Sequence, residues 1–215
     1  MLQNMEKVRR QRGRPQIRPD EETRQLLINA AAAEFQLHGY AGTGMGAVAQ
    51  RAGVSTKTLY RLIPTKAELF ATMVSERTGR FMLEIDDQAL DALTLDDALY
   101  RVLVALGSLT LSAETIAINR LVLAECDRFP EIAAAFDEHA VQRASSRTAD
   151  WLKRETARGR LNIADPKITA GMLRGMMIME PQRAGMMGQK PAPTPEEIEA
   201  RARLCTALFL DGCRP

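Results

Sequence analysis

Cysteine, histidine and aromatic residues are scarce in this sequence. The two histidines, His38 and His139, and three cysteines, Cys126, Cys205 and Cys213, show none of the paired spacing that a metal site needs. An odd cysteine set points away from structural zinc and extracellular disulfides, and toward a reducing cytoplasm. Cys205 reads as a small hydrophobe, and Cys213, near the end, as the better candidate for oxidation. No apolar stretch approaches the roughly 20 residues that span a bilayer, so no membrane partner is expected. The cations near the N-terminus lack the apolar segment of a secretory signal. Paired carboxylates occur at Asp86-Asp87 and Asp96-Asp97, but neighbours on a helix point about 100° apart and do not converge on a substrate. With no nucleophile–base or ligand constellation, the sequence offers no catalytic residues, no metal site and no cofactor site.

Long period-two segments are also missing, so nothing forces a strand. Ala, Leu, Met, Glu, Arg and Gln are plentiful, with 46% hydrophobic and 26% charged residues. The class this predicts is all-α, with about nine helices and no internal repeat. A chain of 215 residues is long enough for one large or two small domains around a real core.

Charge is distributed unevenly. Residues 1–66 hold eleven Lys and Arg against five Asp and Glu, whereas the chain as a whole is only +2. The stretch KVRRQRGRPQIR at 7–18 has six cations and no acid. A basic front on a mildly acidic body suggests two tasks, with the front facing a polyanion.

Local signals place the helices. Asp20 is a candidate N-cap with Glu21 and Glu22 in the first turn, and Leu27, Ala30, Ala31, Phe35 and His38 keep helical spacing up to a stop at Gly39. Two short helical patterns follow, separated by AGVS, where Gly53 gives the turn and Ser55 a cap. Pro64 ends the second, and Thr65 with Glu68 opens a long helix to about Asp86. Further starts fall at Thr94, Pro130, Asp165-Pro166 and Thr194-Pro195, the Pro130 segment running to about Arg158. Ile198, Ala202, Cys205, Phe209 and Gly212 form an apolar stripe on the last helix.

The helix, tight turn and helix at 44–63 carry the chemistry. A recognition helix needs a short rigid lead-in so that its first residues reach base edges in the major groove. Here AGVS leads into Thr56, Lys57, Thr58, Tyr60 and Arg61, all able to contact bases or phosphates. Val48, Ala49, Ala52, Val54, Leu59 and Leu62 would hold the two helices together. An ordinary αα-hairpin is the competing structure. A nucleotide-binding reading of GTGMG fails, because AAAAEFQLHG before it is helical and such a loop needs a strand.

Over about residues 20 to 75, TGMGAVAQRAGVSTKTLYRLIPTKAELF resembles the DNA-binding signature of the TetR family of bacterial transcriptional regulators. RLVLAECDRFPEIAAAF and ALFLDGC look like its AefR-like subgroup. The resemblance implies a three-helix DNA-binding domain at 19–66 after a flexible basic arm at 1–18, and a ligand-binding and dimerisation domain at 67–215. It implies a homodimeric repressor on a pseudo-palindromic operator, released by a small apolar effector. An activator, or an architectural DNA binder without a functional pocket, is the alternative.

Carried over residue by residue, Thr43 matches a phosphate-touching position. Thr56, Lys57 and Thr58 match positions facing bases, beside Ser55 and Arg61, and Tyr60 and Lys66 match phosphate contacts. Two departures stand out: Ile63 replaces a more usual aromatic, and Gly44 and Gly46 sit where a hydroxyl cap and a helix former are commoner, which predicts a loose second helix. RGRP at 12–15 resembles an AT-hook core, so Arg12 and Arg14 are expected in an A·T-rich minor groove, with a merely solvated tail as the alternative.

Six of the eleven methionines lie between 172 and 187, which suits an adaptable ligand wall, an ordinary core or an interface alike. Pro181 should kink or end the helix that carries them. Phe81, Tyr100, Asn119, Trp151, Met172 and Met176 are candidate pocket residues. Ile198, Cys205, Leu208 and Phe209 are candidates for the interface between the two chains.

Overall fold

The computed structural model describes residues 18–84 and 86–214, with the side chains at 80 and 82–84 excepted. These residues form α1 (Asp20–Gly42), α2 (Met45–Ala52), α3 (Thr56–Leu62), α4 (Lys66–Glu84), α5 (Asp87–Asp91) and α6 (Leu95–Thr110). Then come α7 (Ala113–Glu125), α8 (Pro130–Phe136), α9 (Arg143–Ala157), α10 (Pro166–Met186) and α11 (Pro195–Cys213). A π-helical turn, Asp137–Gln142, joins α8 to α9 without a break, so the described residues make ten separate helices where about nine are expected. The short α5 leaves no periodic signature to read. The arm carrying Arg12 and Arg14 lies outside the described residues.

Most helix ends follow the side-chain chemistry. Ser55 Oγ accepts the Thr58 amide at 3.1 Å and Thr94 Oγ1 the Asp97 amide at 3.1 Å. Thr194 and Glu197 close a complete capping box. Gly53 takes φ 67° in the tight turn, and Gly39 breaks α1 at φ 68°. One start differs from the reading above. Pro19 is the N-cap of α1, and the Asp20 carboxylate instead accepts two hydrogen bonds from Arg61, at 2.6 and 2.8 Å. Gly44 is the N-cap of α2 and Gly46 lies in its first turn. At the N-cap, Gly44 costs only a few tenths of a kcal/mol against a hydroxyl residue, which leaves Gly46, inside α2, as the reason to expect a loose helix.

Two apolar clusters organise the chain. The first gathers Leu27, Phe35, Val48, Leu59, Ile63 and Phe70, and draws in Val122 of α7 and Ile132 of α8. Ile63, with no aromatic bulk, is nonetheless fully buried. The second lies among α6, α9, α10 and α11 around Trp151, Leu99, Leu103 and Leu173. Met73 and Val74 of α4 belong to the first and Phe81 to the second, so α4 is one rigid element shared by both.

Helix α10 runs through Pro181 to Met186, so the proline does not end it. Proline has no amide hydrogen to give the carbonyl four residues back. Arg201 of α11 supplies the donor: its Nε donates to Met177 O at 2.7 Å, and its Nη2 to Met176 O at 2.7 Å. Arg201→Met should therefore lower stability by about 1–3 kcal/mol, the cost of leaving a buried carbonyl unpaired. Pro181→Ala in the same chain restores an amide donor and should recover part of the loss. Additive losses in thermal melts would show that the two residues are unrelated.

The carboxylate pairs serve structure. Asp86 Oδ2 accepts the Ala89 amide at 3.0 Å and caps α5. Asp87 takes Arg147 at 2.6 Å and Arg154 at 2.5 Å, both from α9, and Asp96 takes Arg214 at 2.5 Å. Asp97 accepts the Thr94 hydroxyl at 2.7 Å. Glu155, fully buried, is neutralised by Arg158 and Arg160.

Candidate functional site

Helix α3 has a single fully buried side chain, Leu59, which pins it to the first cluster. Thr56, Lys57, Tyr60 and Arg61 turn outward, Tyr60 with 51% of its surface exposed. The Ser55 and Thr58 hydroxyls lie 2.8 Å apart at the N-terminus, fixing the first turn. The Asp20 pair steadies Arg61 and holds its guanidinium above the usual arginine range. These residues present one polar face with one cation held in place. Thr43 and Lys66 do not join it. Thr43 is buried and its hydroxyl donates to Gly39 O at 2.7 Å. Lys66 Nζ donates to Tyr40 O at 2.7 Å and Thr43 O at 3.1 Å, and sits 4.5 Å over the Tyr40 ring.

Tyr40, which no motif singles out, is the junction between front and body. Its backbone N–H donates to Glu125 Oε1 at 2.6 Å, and the Ala41 N–H to Glu125 Oε2 at 2.8 Å. The carboxylate at the end of α7 thus caps the turn that resumes after Gly39. The Tyr40 ring packs 5.1 Å from Phe129 and 5.9 Å from Phe70. Burial, and then Glu131, push the phenol up to about 12. One residue ties α1 to α4, α7 and α8. The only sequence cue was an aromatic directly after a helix-ending glycine.

In the body, α4, α6, α7, α8, α9, α10 and the π turn line a largely apolar, partly open cavity of about 90 Å³. Leu106, Leu109, Ile118, Phe136, Val141 and Ile178 form its apolar wall. Ala140 and Val141 reach it from the π turn, an irregularity often found at functional positions. Of the six candidate pocket residues only Asn119 lines this cavity. Phe81 and Trp151 are buried in the second cluster, and Met176 packs against it. Tyr100 stacks under Arg203, and Met172 is 66% exposed. Aromatic and methionine content marks apolar surface, but not which apolar surface a cavity takes. Sequence reasoning passed over Arg77 and Arg174, which do line it.

The stripe on α11 also points differently from the expectation. Ile198, Cys205 and Phe209 are buried in the second cluster, so they are this chain's own core. Leu204 and Leu208 lie on a flank of that stripe, 60% and 58% exposed, and Leu208 is the one interface candidate left outward. On α10, Ile168, Met172 and Met179 are also exposed, within about 40° of one another around the axis. Burial raises the Cys205 and Cys213 thiols above the usual cysteine range, which disfavours the reactive thiolate at both. Among the described residues no cluster of His, Cys, Asp and Glu has the makings of a metal site, and no single helix is long and apolar enough to cross a membrane.

A short, outward-facing helix after a tight turn, with an all-helical body that holds a cavity, is the architecture of a class of transcriptional regulators. The model described as "AefR-like transcriptional repressor, C-terminal domain" matches residues 97–212, and "Bacterial regulatory proteins, tetR family" matches residues 27–73. The chain belongs to the TetR family of transcriptional regulators. A TetR-family regulator structure from Mesorhizobium loti is 26% identical, covering 92% of this chain and 100% of that one, with a TM-score of 0.79. The flavonoid-responsive regulator FrrA is 27% identical over 91% of this chain and 98% of its own, with a TM-score of 0.72. FadR of Bacillus subtilis, solved with stearoyl-CoA, shares the fold alone at 18% identity, 87% and 98% coverage and a TM-score of 0.70. No curated protein matches the chain.

Proposed function

We propose that this chain is a ligand-responsive repressor that binds a pseudo-palindromic operator as a homodimer and leaves it when a small, mainly apolar effector fills the body. The observation that carries the reading is that α4 begins beside the recognition helix and ends in the cluster that walls the cavity. A ligand that prefers one placement of α4 must bias the spacing of the two recognition helices by the same coupling energy. Flavonoid responsiveness in FrrA supports a small-molecule input.

Residues 1–18 act as a basic arm, 19–66 as the DNA-binding unit and 67–215 as the ligand-binding and dimerisation unit. Ser55, Thr56, Lys57, Thr58, Tyr60 and Arg61 meet the operator at half-sites about 34–36 Å apart. Arg12 and Arg14 enter the adjoining minor groove. Thr43 and Lys66 act indirectly, by fixing the end of α1 against α4.

Operator capture from the chain's own upstream DNA, read by fluorescence anisotropy over a salt series, tests this. Lys57→Ala should weaken binding by about 1–3 kcal/mol, flatten the salt dependence and leave the melting temperature unchanged. Deleting residues 1–18 should weaken it most at A·T-flanked sites. Equal binding by the parent and Lys57→Ala at every salt concentration removes the assignment of α3 to DNA.

A further inference from the structure

The cavity's polar lining is unusually selective. Thr78 Oγ1 donates to Val74 O at 3.1 Å, Thr110 Oγ1 to Leu106 O at 2.6 Å, and Thr115 Oγ1 to Leu109 O at 2.7 Å. The side-chain amides are engaged as well, Asn119 Nδ2 with Thr115 O at 2.8 Å and Gln182 Nε2 with Thr110 O at 3.3 Å. Each hydroxyl donor, and a proton of each amide, is therefore tied to a backbone carbonyl. The two arginines differ. Arg174, half-buried on the α10 face that also carries Ile178 and Gln182, has no hydrogen-bond or ion-pair partner for its guanidinium among the described residues. Arg77 Nη2 is held by Glu114 at 2.5 Å, but Glu114 is an exposed residue and Arg77 Nε is buried without a hydrogen-bond partner. Among the described residues no Asp or Glu lines the cavity.

We propose that the effector is an organic anion: a carboxylate, or a group of like charge and shape, borne on an apolar body. Its head lies on Arg174 and Arg77 and its body against Leu106, Leu109, Ile118 and Phe136. This rests on the reading of the cavity as the effector site. A guanidinium beside an apolar wall lacks compensation until an anion reaches it, and its planar donor fork matches a carboxylate. A cationic ligand finds no counter-charge here, and the Thr hydroxyl protons are already spent on backbone carbonyls. The same head competes with Glu114 of α7 for Arg77 of α4. Binding thereby loosens α4 from α7 at one end, while Lys66 and Glu125 hold Tyr40 at the other.

The test compares decanoate and naphthoate with decanamide and naphthamide, matched in shape and neutral, on the full chain. Binding is read by calorimetry, and operator release by anisotropy. The acids should bind roughly tenfold or more tightly than their amides, the scale of a charge-assisted hydrogen bond, and release the operator. Arg174→Gln should erase that preference while both amides still bind, which shows an intact cavity, and Arg174→Lys should retain it. Amides that bind and release the operator as well as the acids overturn the anion assignment and leave the effector reading standing. If no acid or amide binds, or binding leaves operator affinity unchanged, both readings fall.

Discussion

Leu208→Glu combined with Met172→Glu is expected to turn a two-chain assembly into single chains and to lower operator affinity by about a hundredfold, roughly 2.7 kcal/mol. Both side chains are large, apolar and outward, with Leu204, Ile168 and Met179 beside them on α10 and α11. Exposed apolar stripes on two long helices are surface that a monomer seldom leaves uncovered. A twofold axis between α10 and α11 and their copies would bury it in a self-complementary interface. Two carboxylates placed there lack counter-charges, and burying them is too costly for association to survive. Each recognition helix then binds its half-site alone and forfeits the gain from a linked partner. The substitutions are on the surface, so the single chain should keep its helical signal. Sedimentation decides: a variant that still sediments as two chains places the interface elsewhere.

Leu59→Ala should destabilise the chain by about 2–5 kcal/mol, typical of emptying a filled core position. It should also abolish operator binding, although Leu59 touches no DNA in the proposed complex. Helix α3 spans residues 56–62, far shorter than a helix that holds itself in water. Its order comes from the Leu59 anchor, the Ser55 cap and the turn at Gly53. Removing the anchor keeps every polar contact residue and loses their placement. The contrast with Lys57→Ala separates the two kinds of residue, since that exposed change should lower affinity without lowering the melting temperature. Full operator binding by Leu59→Ala at a temperature where the chain stays folded would show that α3 is ordered by something else.

The fate of particular residues shows why some features were legible and others were not. Gly53, Ser55, Thr94, Thr194 and Glu197 act within about four residues of themselves, and their turns and caps are those expected. Asp20 failed as a cap because Arg61, far along the chain, competes for its carboxylate. Lys66 reads as a cation available to phosphate until the fold brings the Tyr40 and Thr43 carbonyls to its ammonium. Arg77 and Arg174 read as ordinary helix-surface charges until the helices close around them.

By itself, the sequence determined the all-helical class, the helix–turn–helix and the alternation of buried and exposed positions on α3. Each follows from interactions between residues near one another along the chain. Only the tertiary structure decided what the apolar faces of α10 and α11 do. Helix α10 is apolar on several sides: Leu173 and Met177 enter the core, Ile178 the cavity, and Met172 and Met179 the exterior. Helical periodicity separates apolar from polar faces but cannot rank several apolar faces. The choice among core, cavity and partner belongs to the helices packed alongside.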